Sequence, residues 1–150
     1  MDLIKDANNN NLHLEFNIVA GDFSVAGKAA SEIKRILSQV GIRSALVRKV
    51  AIATYEAEMN IVIHSFGGTV SLFVTPEKIE IICKDNGPGI PDIDKAMEEG
   101  FSTAPDRIRE LGFGAGMGLP NIKRCADSLK ITSEAGKGTT VEMIINIAES

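Results

Sequence analysis

Glu56, Asn60 and His64 recur four residues apart, so on a helix a carboxylate, an amide and an imidazole would share one stripe. Ile52, Ala53, Ala57, Met59 and Ile63 border that stripe on a helical wheel. Burying the three polar groups without partners would cost on the order of 1–3 kcal/mol each, more if charged. A ligand or metal would supply partners. The Asn60 amide oxygen suits a hard cation such as Mg²⁺, and Glu56 can orient or deprotonate a nucleophile. An internal hydrogen-bond network or a solvent-facing helix edge would explain the same stripe, so it carries no function alone.

Two further clusters change that balance. Asp85-Asn86-Gly87-Pro88-Gly89 follows the apolar run from Ile79 to Cys83. There a carboxylate can face a pocket while the glycines keep the backbone clear of a planar ligand. Carboxylates accept exocyclic amino hydrogens, so adenine is the natural guest, although an Asx-type turn is the commoner meaning of such a loop. Gly112, Gly114, Gly116 and Gly118 then alternate directly ahead of a helix, where unhindered amides can cradle phosphate oxygens. This spacing is neither the dinucleotide G-x-G-x-x-G nor the P-loop, and a flexible linker is its bland alternative. In this order within one small domain, the three clusters make a nucleotide site.

The elements that must position them follow from periodicity. Leu12 to Ile18 alternates with period two, a half-buried strand after the polar turn Asn8 to Asn11. Asp22 or Ser24 is expected to cap a helix from Val25 to Val40, which Gly41 ends. A second helix is expected after Ser44, running to about Phe66 and ending at Gly67-Gly68. Strands are expected over Thr69 to Thr75 and Lys78 to Lys84. Seven of the 14 glycines and three of the five prolines lie between Asp85 and Gly118, with room for only a short helix at Ile93 to Glu99. A glycine-rich connection of this length is usually functional, often a lid. A helix from Leu119 to Ser128, with Pro120 in its first turn, and strands Leu129 to Ser133 and Thr139 to Ile147 complete the chain. About five strands and three or four helices predict an α+β sandwich, with helices over one face of a mixed, largely antiparallel sheet.

Length and composition agree. With 150 residues, 44% hydrophobic and 24% charged, the sequence fits one soluble domain over residues 1–150. A net charge of −4 argues against a protein held by nucleic-acid phosphates. No long uncharged apolar run suggests a membrane span, and Met1 to Asp6 is not a signal peptide. Cys83 and Cys125 lack metal-ligand spacing and are expected to be reduced, in keeping with a cytoplasmic protein.

From about Val25 to Ile147 the chain resembles the GHKL superfamily of ATP-binding domains, with their Bergerat fold. Glu56 and Asn60 match its N box, Asp85 to Gly89 its first glycine box, and Gly114-Ala115-Gly116-Met117-Gly118-Leu119 its second. Gly138-Thr139-Thr140 matches the strand that closes the adenine pocket. The resemblance implies Glu56 as general base and Asn60 as the Mg²⁺ ligand. It places Asp85, Gly87, Gly89, Ile90 and Thr139 around adenine with His64 nearby, and Gly114 to Leu119 at the phosphates under an ATP lid over 92–116.

Within the superfamily, Glu99-Gly100-Phe101-Ser102-Thr103 and the run Gly112 to Asp127 look most like the RsbT-type switch kinases of bacterial sigma-factor regulation. The regular Glu56-Ala57-x-x-Asn60-x-x-x-His64 is nearer the RsbW and SpoIIAB anti-sigma pattern. Both groups imply a serine/threonine kinase using ATP and Mg²⁺ on a STAS-domain regulator, of anti-anti-sigma or stressosome type. The alternative is a nucleotide-gated anti-sigma factor acting by sequestration, with a sigma factor or other effector as partner and a homodimer as an open arrangement. A dimeric ATPase switch would need transducer sequence beyond Ser150. A histidine autokinase is disfavoured because neither His13 nor His64 has an acceptor-helix context.

Overall fold

Alternation from Leu12 to Ile18 produces a strand that buries Leu14, Phe16 and Ile18 and exposes Glu15 and Asn17. The computed structural model describes residues 2–6, 11–90, 93–98 and 118–147. In chain order the elements are β1 (Asp2–Asp6), β2 (Asn11–Ile18), α1 (Lys28–Gln39), α2 (Ser44–His64), β3 (Gly68–Val74), β4 (Lys78–Asp85), α3 (Ile93–Ala96), α4 (Gly118–Cys125), β5 (Ser128–Glu134) and β6 (Gly138–Asn146). The strands form one sheet in the order β1-β2-β3-β4-β6-β5. Every ladder is antiparallel, so the largely antiparallel sheet expected from the sequence is wholly so among the described residues. β1 adds a sixth strand to the five expected. Its two apolar residues, Leu3 and Ile4, are adjacent and give no alternation, so pairing with β2 rather than local pattern makes it a strand.

Leu14, Leu72, Ile81 and Met143 stand opposite one another across four strands, all fully buried. Ile33 and Leu37 of α1, Val50 and Ile61 of α2 and Ile122 of α4 join them in one core. Each such side chain contributes about 1.5–3 kcal/mol relative to exposure. Helices therefore cover one face of the sheet. On the other, the rings of His13 and Phe73 stack with centroids 4.2 Å apart.

The capping of α1 differs from expectation. The helix begins at Lys28 rather than Val25, and its N-cap, Gly27, has φ 89° and no side chain to cap with. Asp22 instead closes a local turn, its Oδ1 accepting from the Ser24 amide and hydroxyl at 3.2 and 2.6 Å. The orphan amides of α1 are satisfied from α2. Glu58, only 2% exposed, accepts from Gly27 and Ala29 N–H on Oε2 at 2.9 and 3.3 Å, and from Ala30 N–H on Oε1 at 3.0 Å. A carboxylate presents two acceptors to the positive end of the helix. A Glu58→Gln variant must turn an NH₂ toward one set of these donors. It should lose about 1–2 kcal/mol of stability, read as a lower denaturant midpoint at unchanged slope.

The far end of α1 is as expected. Gly41, at φ 88°, donates to Ser38 O at 3.2 Å and Ile42 to Leu37 O at 3.1 Å, the paired bonds of a Schellman stop. The short connection that follows returns the chain as α2, antiparallel to α1.

Candidate functional site

Asp85 ends β4 beside the start of β6. Its Oδ1 accepts from Gly87 N–H at 2.8 Å and Thr139 N–H at 3.2 Å. Among the described residues Oδ2 accepts no bond, so one oxygen is fixed by the backbone and the other is available. Burial raises the Asp85 carboxyl above its ordinary range, opposed by those two amides and by His64.

Around Asp85 the backbone packs too closely for side chains. A Cβ at Gly138, where φ is 133°, would collide with the Asp85 carbonyl oxygen. One at Gly89 would come within 2.8 Å of the Glu134 carbonyl oxygen, and one at Gly87 within 3.0 Å of Ser65. Gly87 lets the loop after β4 pass close to Ser65 at the end of α2, and Gly89 and Gly138 let it lie against the β5–β6 hairpin. Two bonds staple it there: Ile90 N–H to Ser133 Oγ at 2.7 Å and Gly136 N–H to Pro88 O at 3.0 Å. Ser133 also meets Thr139 Oγ1 at 3.1 Å. It was not among the expected site residues, because a serine on an edge strand carries no local signal.

Glu56 and Asn60 lie on α2 facing the first residue of α4. A Cβ at Gly118 would sit 3.2 Å from Asn60 Oδ1 and 3.4 Å from Glu56 Oε2. The missing side chain thus brings the start of α4 against the carboxylate and amide of the stripe. Asn121, also absent from the sequence expectation, donates from Nδ2 to Glu56 Oε1 at 3.3 Å, and Arg124 Nη1 donates to Asn121 Oδ1 at 2.9 Å. That second bond fixes which end of the Asn121 amide faces Glu56. Its only sequence signal was an amide in the first turn after the glycines.

His64, the last residue of α2, belongs to the Asp85 end. Burial lowers its pKa, and the Asp85 charge opposes the shift. A folded-state pKa below the unfolded one means that the unfolded chain protonates first as pH falls from about 6.5. His64 therefore withdraws stability on acidification below that value and none above it. Stability measured from pH 7 to pH 5 should fall less steeply in His64→Gln than in the parent chain.

The described structure thus brings together Glu56, Asn60, Gly118 and Leu119 at one end, and His64, Asp85, Gly87, Gly89, Ile90 and Thr139 at the other. Gly114, Ala115, Gly116 and Met117 lie outside the described residues, as does the expected lid 92–116 apart from 93–98. Among the described residues no group of three His, Cys, Asp or Glu side chains could hold a metal ion, and no helix is long and apolar enough to cross a membrane. A cation here would rest on the Asn60 amide, on water and on ligand oxygens, a donor set that fits Mg²⁺. Burial pushes the Cys83 thiol above its ordinary range, making it inert.

A family model described as the histidine kinase-like ATPase domain matches residues 22–145. The serine/threonine-protein kinase RsbT of Bacillus subtilis is 33% identical over 121 residues, covering 77% of this chain and 85% of that one. An anti-sigma F factor of Thermoanaerobacter is 38% identical over 96 residues, 61% of this chain and 64% of its own length, so that match spans under two thirds of it. Among solved structures, the SiaB–SiaC complex from Pseudomonas aeruginosa contains a chain of the same fold, with TM-score 0.59 at 14% identity, covering 88% of both chains.

Proposed function

Since this chain belongs to the histidine kinase-like ATPase domain family, we propose that it is a Mg²⁺-dependent protein kinase that transfers the γ-phosphoryl group of ATP to a serine or threonine of a STAS-domain regulator. The observation that carries the reading is Gly118 set against Glu56 and Asn60, which joins a glycine-led helix start to a carboxylate and a metal-type amide. Similarity to RsbT and to an anti-sigma F factor supports a place in sigma-factor control.

Each residue has a distinct task in this reading. Asp85 Oδ2 accepts the exocyclic amino hydrogen of adenine while Gly87 and Thr139 hold Oδ1. Asn60 presents its amide oxygen to the cation, and the start of α4 offers backbone N–H groups to phosphate oxygens. Bound Mg²⁺ supplies charge neutralisation across the phosphates. Glu56, oriented by Asn121, takes the proton of the attacking hydroxyl.

Sequestration is the second reading, favoured by the anti-sigma F factor similarity and the regular Glu56-x-x-x-Asn60-x-x-x-His64 spacing. Incubating the chain with γ-labelled ATP, Mg²⁺ and STAS-domain proteins from neighbouring genes separates the two. Label on a serine or threonine is the expected result. Nucleotide-dependent complex formation without label would make sequestration the function.

A further inference from the structure

The helix pair α1–α2 carries a charge that phosphate binding does not use. From Lys28 to Lys49 there are six basic residues (Lys28, Lys34, Arg35, Arg43, Arg48 and Lys49) against the single acid Glu32, in a chain of net charge −4. Arg35 is engaged by Glu32 at 2.9 Å, and Arg43 donates to the Ile147 carbonyl oxygen at 3.2 Å. The other four, Lys28, Lys34, Arg48 and Lys49, are exposed, and among the described residues none of them makes an ion pair or hydrogen bond. Of the four, Lys34 and Arg48 border one groove.

These two cations line an open groove of about 490 Å³ between the helices, together with Ser31, Ile52, Tyr55 and Glu56. Ile52 and Tyr55 are 42% and 39% exposed, the large apolar groups that α2 leaves at the surface. The Tyr55 ring is held close over Gly27, where a Cβ would come within 3.2 Å of it. The α1 amides that could have cradled a lone anion are already bonded to Glu58. What remains is positive charge spread along a partly apolar trough, with Glu56 at its edge.

We propose that this groove docks the protein substrate, taking a segment whose carboxylates face Lys34 and Arg48 and whose apolar side chain rests on Ile52 and Tyr55, so that its hydroxyl residue reaches Glu56. The inference rests on the phosphotransfer reading above, since Glu56 is shared by the groove and by the carboxylate–amide end of the site. Apolar contacts at such a surface supply most of the affinity, and the charges supply steering and discrimination. Nucleic acid is disfavoured as the occupant by the overall negative charge and the apolar wall.

The test uses the full chain with ATP and Mg²⁺ and a positional-scanning library of 15-residue peptides centred on serine or threonine. Retention and label incorporation are read separately. Retained peptides should be enriched roughly five- to tenfold in Asp and Glu flanking the centre, the scale of two exposed ion pairs. In the double variant Lys34→Glu/Arg48→Glu that preference should pass to Lys and Arg, with ATP affinity unchanged. No retention, retention blind to charge, or an acidic preference that survives the double reversal would overturn the proposal. Equal displacement by single-stranded DNA of matched charge would overturn it too, since the face would then bind any polyanion. Charge-dependent retention without label would leave the groove standing and refute phosphotransfer. Label without charge preference would do the reverse.

Discussion

Glu56→Gln is expected to bind ATP as the parent chain does while phosphorylating its substrate ~10²–10⁴ times more slowly, the scale of a lost general base. The structure makes this a clean substitution. Asn121 Nδ2 donates to Glu56 Oε1 at 3.3 Å, and a glutamine oxygen at the same place accepts the same bond. Side-chain length and the spacing from Gly118 are retained, while the negative charge, the second acceptor oxygen and with them the ability to take a proton are removed. Single-turnover transfer from saturating ATP measures the effect directly. A normal rate would leave positioning and charge neutralisation to explain catalysis without a base.

The second large effect is expected at the opposite end of the site. Asp85→Asn should weaken ATP and ADP binding by ~1–3 kcal/mol, about five- to 150-fold. Gly87 and Thr139 both donate to Oδ1, and an asparagine oxygen can accept both, so the loop geometry survives. The NH₂ group then replaces Oδ2 and presents donors to an exocyclic amine that is itself a donor. Acidification should mimic the substitution. Burial holds the Asp85 carboxyl above its ordinary range, so the accepting carboxylate is lost, and affinity with it, at a higher pH than an exposed aspartate would impose. Calorimetric titration of both nucleotides across pH reads both effects. Equal affinity in parent and variant would remove Asp85 from the adenine pocket.

Much of this arrangement was legible in the residues because the site is built from local patterns on regular elements. Glu56 and Asn60 share a helical stripe by spacing alone, and Asp85 follows an apolar strand. Gly118 opens a helix, and period-two alternation marked β2. What escaped was set by tertiary contact. Glu58, two residues from Glu56, lies off the stripe by spacing, but nothing local says that it caps α1 about thirty residues upstream. Asp22 and Ser24 have the chemistry of caps but spend it on their own turn, because the chain reaches helical geometry only after Gly27. Asn121 and Ser133 gain their roles from α2 and from the loop after β4, neither of which is near them in sequence. β1 becomes a strand only because β2 offers it an edge.

Calorimetric titration of the intact chain with ATP, with and without Mg²⁺, beside Asn60→Ala, tests the site most directly. The expected result is saturable one-to-one binding that Mg²⁺ strengthens, with that strengthening lost in Asn60→Ala because the amide oxygen is gone. Absence of saturable binding by the parent chain, or an unchanged Mg²⁺ effect in the variant, would contradict the assignment of this site to a Mg²⁺–nucleotide.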